Sequence, residues 1–378
     1  MVIVRDQHLK SLHAGAQATL NSIRNSFWIV NGKTIVKNVI RKCVTCCRAK
    51  PQTPTYLMGD LPKNRVVFEK AFLQTGVDYC APFYIKERKL RDRNKVKIYV
   101  AVFVCFATKA VHIEVVSDLT TEAFLACLCR FFSRRGKCTD LYSDNGKNFV
   151  GAKNEINDIL KLIKSNEHNT MVSRNLIDQK MNWHFNPPRS PHFGGLWEAA
   201  VKSFKHHWIR AVGDKVLSYE EFTTLATEIE GILNSRPLTP LPSDPNDLAA
   251  LTPGHFLTGD SLTGVPEHSL MHLPSNRLSS WQKVQQIKQH FWSRWNREYL
   301  HELTVRKRWH KGSTSEMKIG KLVTIRDDNL PPMRWTIGRI IATHPGEDNV
   351  IRVVTVKTAH GEYKRSIKNL SPLPIDSD

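Results

Sequence analysis

The stretch TTEAFLACLCRFFSRRGKCTDLYSDNG (120–146) decides the fold class. Its first part repeats apolar residues at helical spacing. Thr120 or Thr121 can cap that helix and Gly136 can end it. Its second part, TDLYSDNG (139–146), reads as a strand that breaks at Asn145-Gly146, a pair that readily takes positive φ. Toward the amino end, FLQTGVDY (72–79), KIYVAVFVCFAT (97–108) and AVHIEVV (110–116) read as an antiparallel set turning near Lys109. Toward the carboxyl end, residues 149–165 read as a helix and MNWHFNPP (181–188) as a strand. GGLWEAAVKSFKHHWIRAVG (194–213) and YEEFTTLATEIEGILNSRP (219–237) are further helices, the second stopped by Pro237. Three contiguous strands followed by alternating helices and strands predict an α/β core of the ribonuclease-H-like plan.

The flanks differ in character. GAQATLNSIRNSF (15–27) and TIVKNVIRK (34–42) predict two short helices, and PQTPTYLMGDLP (51–62) a Pro-rich connector. After the core comes a Pro-rich loop, PLTPLPSDPNDLAALTPGHFLTG (237–259), then a long amphipathic helix, SSWQKVQQIKQHFWSRWNREYLHEL (279–303). From Lys318 short β-type runs alternate with turn residues, which predicts a small barrel of four or five strands.

Lys and Arg outnumber Asp and Glu by 55 to 35, for a formal charge of +20 over 378 residues. The excess is spread along the chain. It favours a polyanionic partner, nucleic acid ahead of a membrane surface. The longest apolar run, IYVAVFVCFA (98–107), is too short to span a bilayer, and MVIVRDQHLK has no signal-peptide hydrophobic region. Cys80, Cys105, Cys127, Cys129 and Cys138 are scattered through apolar contexts, as small buried hydrophobes are in a reducing, intracellular compartment.

Cys43 and Cys46 form a CxxC, with His8 and His13 upstream. Two imidazoles and two thiolates suit a closed, structural Zn²⁺ site, and a unit this small needs metal binding to fold. The bland alternative is two surface histidines and incidental cysteines. Cys47 competes with Cys46, and the CxxC spacing favours Cys46.

Three carboxylates stand in contexts that suit metal-assisted phosphoryl chemistry: Asp78 in FLQTGVDYCAPF, Asp144 in LYSDNGKNFVGA and Glu198 in PPRSPHFGGLWEAAVKSFK. Burying Asp78 in an apolar strand is costly unless it is paired or metal-bound. Asp144 ends a strand, and Glu198 opens a helix after a Pro- and Gly-rich loop. Lys202 and Lys205 follow Glu198 at i+4 and i+7, on the same helical face. Read one by one, Asp144 could be a turn former, Glu198 a helix-start acid and the lysines a solvated face.

These blocks resemble a retroelement integrase, most closely the Pao/Bel class of long-terminal-repeat retrotransposons. The resemblance rests on HLKSLHAG, FWIVNG, CVTC, GVDYCAPF, YSDNGKNFVGA, PPRSPHFGGLWEAAVKSFK and LNSRPLTP (233–240), and runs from about His8 to Pro374. It implies a His-His-Cys-Cys zinc-binding domain over 1–56 and a catalytic core over 60–255. A linker helix over 275–304 and a basic, DNA-binding SH3-like β-barrel over 312–375 would follow. It carries an acidic triad onto Asp78, Asp144 and Glu198, which would hold catalytic Mg²⁺ or Mn²⁺, and zinc onto His8, His13, Cys43 and Cys46. The chain departs from retroviral integrases in a longer gap between Asp144 and Glu198, filled by a charged insert near 151–180. A surface insertion of that kind leaves a site intact.

The expected activity is 3′-end processing and strand transfer of element DNA into target DNA by a nuclear homo-oligomer. Lys202, Lys205, Arg308 and Trp309 would contact DNA. VRKRWHKG (305–312) reads equally as a DNA platform or a nuclear localisation signal. The alternatives are a domesticated or truncated integrase derivative that only binds DNA, and a metal-dependent nuclease that cleaves without joining.

Overall fold

The computed structural model describes residues 2–11, 13, 15–49, 63–67, 69–87, 94–165, 181–187, 194–241, 247–303, 317–327, 330–348 and 350–373. The chain divides into two compact units, Met1–Leu61 and Pro62–Asp378.

In the first unit α1 (Val2–Lys10), α2 (Ala16–Arg24), α3 (Gly32–Arg41) and α4 (Val44–Ala49) follow one another. The two predicted helices are α2 and α3. The sequence reading did not anticipate α1, whose β-branched start argues weakly for helix. Val4 and His8, four residues apart, put one face of α1 against Leu20, Ile23 and Val36, and this burial outweighs propensity. So small a core leaves much of the stability to be supplied by other means.

The second unit is built on a sheet of order β3-β2-β1-β4-β5. Its strands are β1 (Gln74–Lys86), β2 (Lys95–Cys105), β3 (Val111–Val116), β4 (Asp140–Ser143) and β5 (Asn182–Phe185). β1 to β3 are antiparallel, while β4 runs parallel to β1 and β5 parallel to β4. β1 continues past the predicted end at Tyr79. Pro82, which has no N–H to give the ladder, is absorbed by a register shift between Cys80 and Phe83.

Both faces of the sheet are covered, which is why β2 reads as an almost unbroken apolar run. Ala101, Phe103 and Cys105 face α5 (Thr121–Arg135) and the start of α6 (Lys147–Ser165). Val100, Val102 and Val104 face α7 (Gly195–Val212), α8 (Tyr219–Asn234) and α9 (Ser280–Leu303). Thr120 caps α5, its Oγ1 accepting from Ala123 N at 3.2 Å, and Gly136 takes φ 86° at the other end. Ser218 and Glu221 form a capping box at α8 that the sequence reading passed over.

The long helix α9 packs as part of the core. Val284, Ile287, Phe291 and Trp295 recur at three- and four-residue steps and lie buried. Buried polar groups beside them find partners. Gln286 Nε2 donates to Leu270 O at 2.9 Å, and Lys288 Nζ lies 2.8 Å from Glu228 and 3.2 Å from Glu267. A second, five-stranded antiparallel sheet follows, built from β7 (Leu322–Ile325), β8 (Thr336–Pro345), β9 (Ile351–Thr358), β10 (Gly361–Ser366) and β11 (Leu370–Pro372). Its order is β10-β9-β8-β7-β11, and its core holds Val323, Ile325, Ile340, Val354, Val356 and Leu370. β6 (Leu217–Ser218) is a short parallel addition to the far end of β1. Trp335 inserts between Trp292, Trp295 and Tyr299 of α9, and its Nε1 donates to Ser235 Oγ at 3.3 Å.

The connector 51–62 lies outside the described residues, as do most of the tail of the insert (166–180) and most of the Pro-rich loop before Glu198 (188–193). Among the described residues no helix is long and apolar enough to cross a membrane.

Candidate active site and metal centre

In the first unit His8 Nε2 lies 3.2 Å from His13 Nδ1 and 3.3 Å from Cys46 Sγ. Cys43 Sγ lies 3.3 Å from His13 Nδ1, and Cys46 Sγ 3.7 Å from it. Zinc–nitrogen and zinc–sulfur bonds of about 2.0–2.3 Å put tetrahedral donors about 3.5 Å apart, so this set fits a four-coordinate zinc. His13 takes φ 62°, which turns its ring back toward α1. α1 supplies His8, and Cys43 and Cys46 lie at and within the start of α4. Cys47 points elsewhere, donating its thiol to Arg41 O at 3.0 Å, so geometry favours Cys46 as spacing did. A hydrogen bond from the backbone of Cys46 draws the Cys43 thiol down from its ordinary pKa, toward the thiolate a metal needs.

In the second unit the parallel register of β1 and β4 pairs Gly76 with Tyr142. Two residues further along each strand stand Asp78 and Asp144, neighbours at the carboxyl end of β4. Asp78 Oδ1 accepts from Tyr79 N at 2.7 Å, and Asp144 Oδ1 accepts from Gly146 N at 3.0 Å in the Asn-Gly turn. Glu198 sits in the first turn of α7. Burial pushes the Asp78 carboxyl up to about 6 against the Tyr79 N–H, and the negative charges of Asp144 and Glu198 push it further in the same direction. The three acids therefore share one electrostatic neighbourhood. Their oxygens do not all lie within 4.8 Å of one another, as the His–Cys donors do.

Two features that the sequence reading missed set this arrangement. Gly76 accepts the Trp197 indole against its bare backbone, where a Cβ would lie 2.2 Å from Cε3. Trp197 also stacks on Phe106 at 5.7 Å, so α7 is seated on the sheet one residue before Glu198. At Gly194 a Cβ would meet Glu198 Oε1 at 2.5 Å and Asn186 Nδ2 at 3.1 Å. The Glu198 carboxylate thus folds back toward its own helix start, where the dipole favours it. Asn145, after Asp144, donates to Asn186 O at 2.7 Å and ties the turn to the end of β5.

Lys202 and Lys205 lie exposed on the Glu198 side of α7. Arg308 and Trp309 fall outside the described residues. In the second sheet Lys357, Lys364, Arg365 and Lys368 are exposed, with Arg365 over the Tyr363 ring at 5.2 Å. The LNSRP block has a structural task. Asn234 Oδ1 accepts from Val111 N at 2.8 Å and its Nδ2 donates to Val111 O at 2.7 Å, closing the edge of β3. Buried His112 sits between Glu114 at 3.0 Å and Glu230 at 3.2 Å. Arg130 and Arg135 complete the network, which joins α5 and α8 at that same edge.

Comparison with known proteins gives matches for parts of the chain. Residues 279–373, which hold α9 and the second sheet, match a family of unknown function (DUF5641). No curated protein matches the chain. A chain in the cryo-EM structure of the simian T-cell lymphotropic virus intasome in complex with PP2A regulatory subunit B56 gamma aligns over 99% of this chain and 100% of its own. The pair are 12% identical with a TM-score of 0.33, too loose a superposition to carry an argument. Residues 2–52 match the family model described as the Integrase zinc binding domain. The segment that gathers His8, His13, Cys43 and Cys46 is thus similar to an integrase-type zinc-binding domain, in keeping with a structural zinc on these four residues.

Proposed function

We propose that the chain is a DNA integrase of a long-terminal-repeat retrotransposon, of the Pao/Bel class. Its core would be ribonuclease-H-like, and Asp78, Asp144 and Glu198 its catalytic acids. The observation that carries the reading is the placement of three acids: Asp78 on β1, Asp144 just past the end of the parallel strand β4 and Glu198 in the first turn of α7. They lie close enough that the charges of Asp144 and Glu198 add to the burial that raises the Asp78 carboxyl. Such a cluster is unfavourable by itself, and an all-oxygen donor set suits a hard divalent cation that would relieve it. Mg²⁺ or Mn²⁺ held there supplies Lewis-acid activation of an attacking oxygen and stabilisation of a leaving one.

The chain's own residues do the rest. Asp78 on β1 and Asp144 in the turn after β4 hold their carboxylates in place, each oriented by a backbone N–H. Glu198 completes the set by swinging from its helix start. Lys202 and Lys205 meet the phosphates of the bound strand and hold the scissile one in line. Water is the nucleophile when the element's ends are trimmed, and the freed 3′-hydroxyl is the nucleophile in strand transfer. No covalent protein–DNA intermediate is needed.

The exposed cations of the second sheet, read as an SH3-like barrel, add sequence-independent contact with DNA. Zinc on His8, His13, Cys43 and Cys46 holds the first unit. Joining two element ends to one target requires at least two active sites, hence a homo-oligomer acting in the nucleus. The deciding experiment is strand transfer by the full chain from a labelled end duplex in Mg²⁺. Joined product is expected, and cleavage without joining would make the protein a nuclease instead.

A further inference from the structure

We propose that His206, His207 and Glu298 form a second divalent-metal site of zinc type, bridging α7 and α9. The inference stands apart from the integration reading and requires none of its residues. His207 Nε2 lies 3.1 Å from Glu298 Oε2, and His206 Nε2 lies 3.8 Å from the same oxygen. The three donor atoms all lie within 4.8 Å of one another, and the two rings meet edge to face at 5.0 Å between centroids. Two imidazoles and a carboxylate, with water in the fourth position, are a well-suited zinc set.

His207 gives the second, independent sign. Its side chain is only 3% exposed, packed edge-on against Phe291, yet neither ring nitrogen makes a hydrogen bond. The approach to Glu298 is close but lacks hydrogen-bond alignment. A buried imidazole with both nitrogens unpartnered carries an unrecovered desolvation cost, which a metal bond at Nε2 would offset.

The hollow, about 390 Å³, is also lined by His290, Ser293, Arg294 and Arg297, and Arg210 approaches it from α7. These guanidiniums weaken the site for any cation. Zinc tolerates them better than a hard ion would, because much of its affinity comes from nitrogen donation. Arg210 donates to both His206 Nδ1 and His206 O at 3.0 Å. Coordination through Nε2 shifts the ring proton to Nδ1, and Arg210 keeps the carbonyl. A metal here would lock the helix that carries Glu198 to the helix that leads into the second sheet.

The test is titration of the metal-free full chain with Co²⁺, a spectroscopic stand-in for zinc. With Mg²⁺ in large excess to fill the carboxylates of Asp78, Asp144 and Glu198, two cobalt equivalents should bind per chain, one with thiolate-to-cobalt charge-transfer bands and one with ligand-field bands alone. Glu298→Gln and His206→Gln change half-exposed side chains and spare the fold. Each should weaken the thiolate-free equivalent about tenfold or more and leave the charge-transfer bands intact. Binding of a single equivalent by the unmodified chain, or of two at undiminished affinity by both variants, would overturn the proposal. An unchanged single equivalent together with saturable phosphate binding would assign the hollow to an anion instead.

Discussion

Gly76 and Trp197 meet at the junction of β1 and α7, with no room between them for a methyl group: a Cβ on Gly76 would stand 2.2 Å from Cε3 of the indole. Gly76 lies two residues before Asp78 and Trp197 lies one before Glu198, so this contact sets the distance from strand to helix across the proposed site. In Gly76→Ala, α7 must lift or the indole must turn. The expected loss is about 1–3 kcal/mol of stability, typical of overpacking. Strand transfer should fall more than the stability loss explains. Urea denaturation and a transfer assay on the same preparation check both.

Asp78 supplies a pH signature. Its folded-state carboxyl is raised from 3.8 to about 6, chiefly by burial, so the native state favours the protonated form. For an acid raised in this way, the stabilising contribution is complete below pH 3.8 and is lost as pH rises through 6. In magnesium-free buffer Asp78→Asn should therefore be more stable than the unmodified chain at pH 8, by about 2 kcal/mol, allowing for partial exposure. The advantage should shrink toward pH 4. Denaturation midpoints at the two pH values decide it, and equal midpoints at pH 8 would show that the site does not disfavour the ionised Asp78 carboxylate.

Zinc on His8, His13, Cys43 and Cys46 is expected to hold the first unit together. Chelation, or His8→Ala, should melt the helices of residues 2–49 and leave the unit beginning at Pro62 folded. Far-UV circular dichroism would show a partial helical loss that added zinc restores after chelation but fails to restore in the variant.

Asn234 stands in for a missing strand. It satisfies both backbone groups of Val111 on edge strand β3, and Asn234→Ala leaves them without partners in a buried place. The loss should be about 2–4 kcal/mol, two groups at the usual cost of unsatisfied burial. Asn234→Asp keeps the acceptor and should fall between the two in a denaturation series.

Local chemistry made much of this legible from sequence. Thr120 and Gly136 bracket α5 because capping and positive φ are properties of single residues. The His–Cys donor set follows from spacing alone, with the CxxC choosing Cys46 over Cys47. Asp144 at a strand end follows from Asn-Gly. What stayed hidden depends on pairing across the sheet. Nothing in FLQTGVDY says that β1 will lie beside β4 in the register that faces Asp78 toward Asp144. The continuation of β1 through Pro82 needed a bulge that only its partner strand reveals. Gly76 looked like a small neighbour of Asp78, and its task became visible only with the indole of Trp197 above it. The juxtaposition of His207 with Glu298, 91 residues later in the sequence, was equally out of reach.

The central claim is that Asp78, Asp144 and Glu198 act together on a phosphodiester. It is tested most directly by strand transfer in Mg²⁺ with Asp144→Asn, which removes one charge from an exposed side chain and leaves the turn intact. The account predicts loss of joined product by at least a thousandfold, about 4 kcal/mol of transition-state stabilisation, with duplex binding retained. Asp144→Asn that joins DNA as well as the unmodified chain would contradict it.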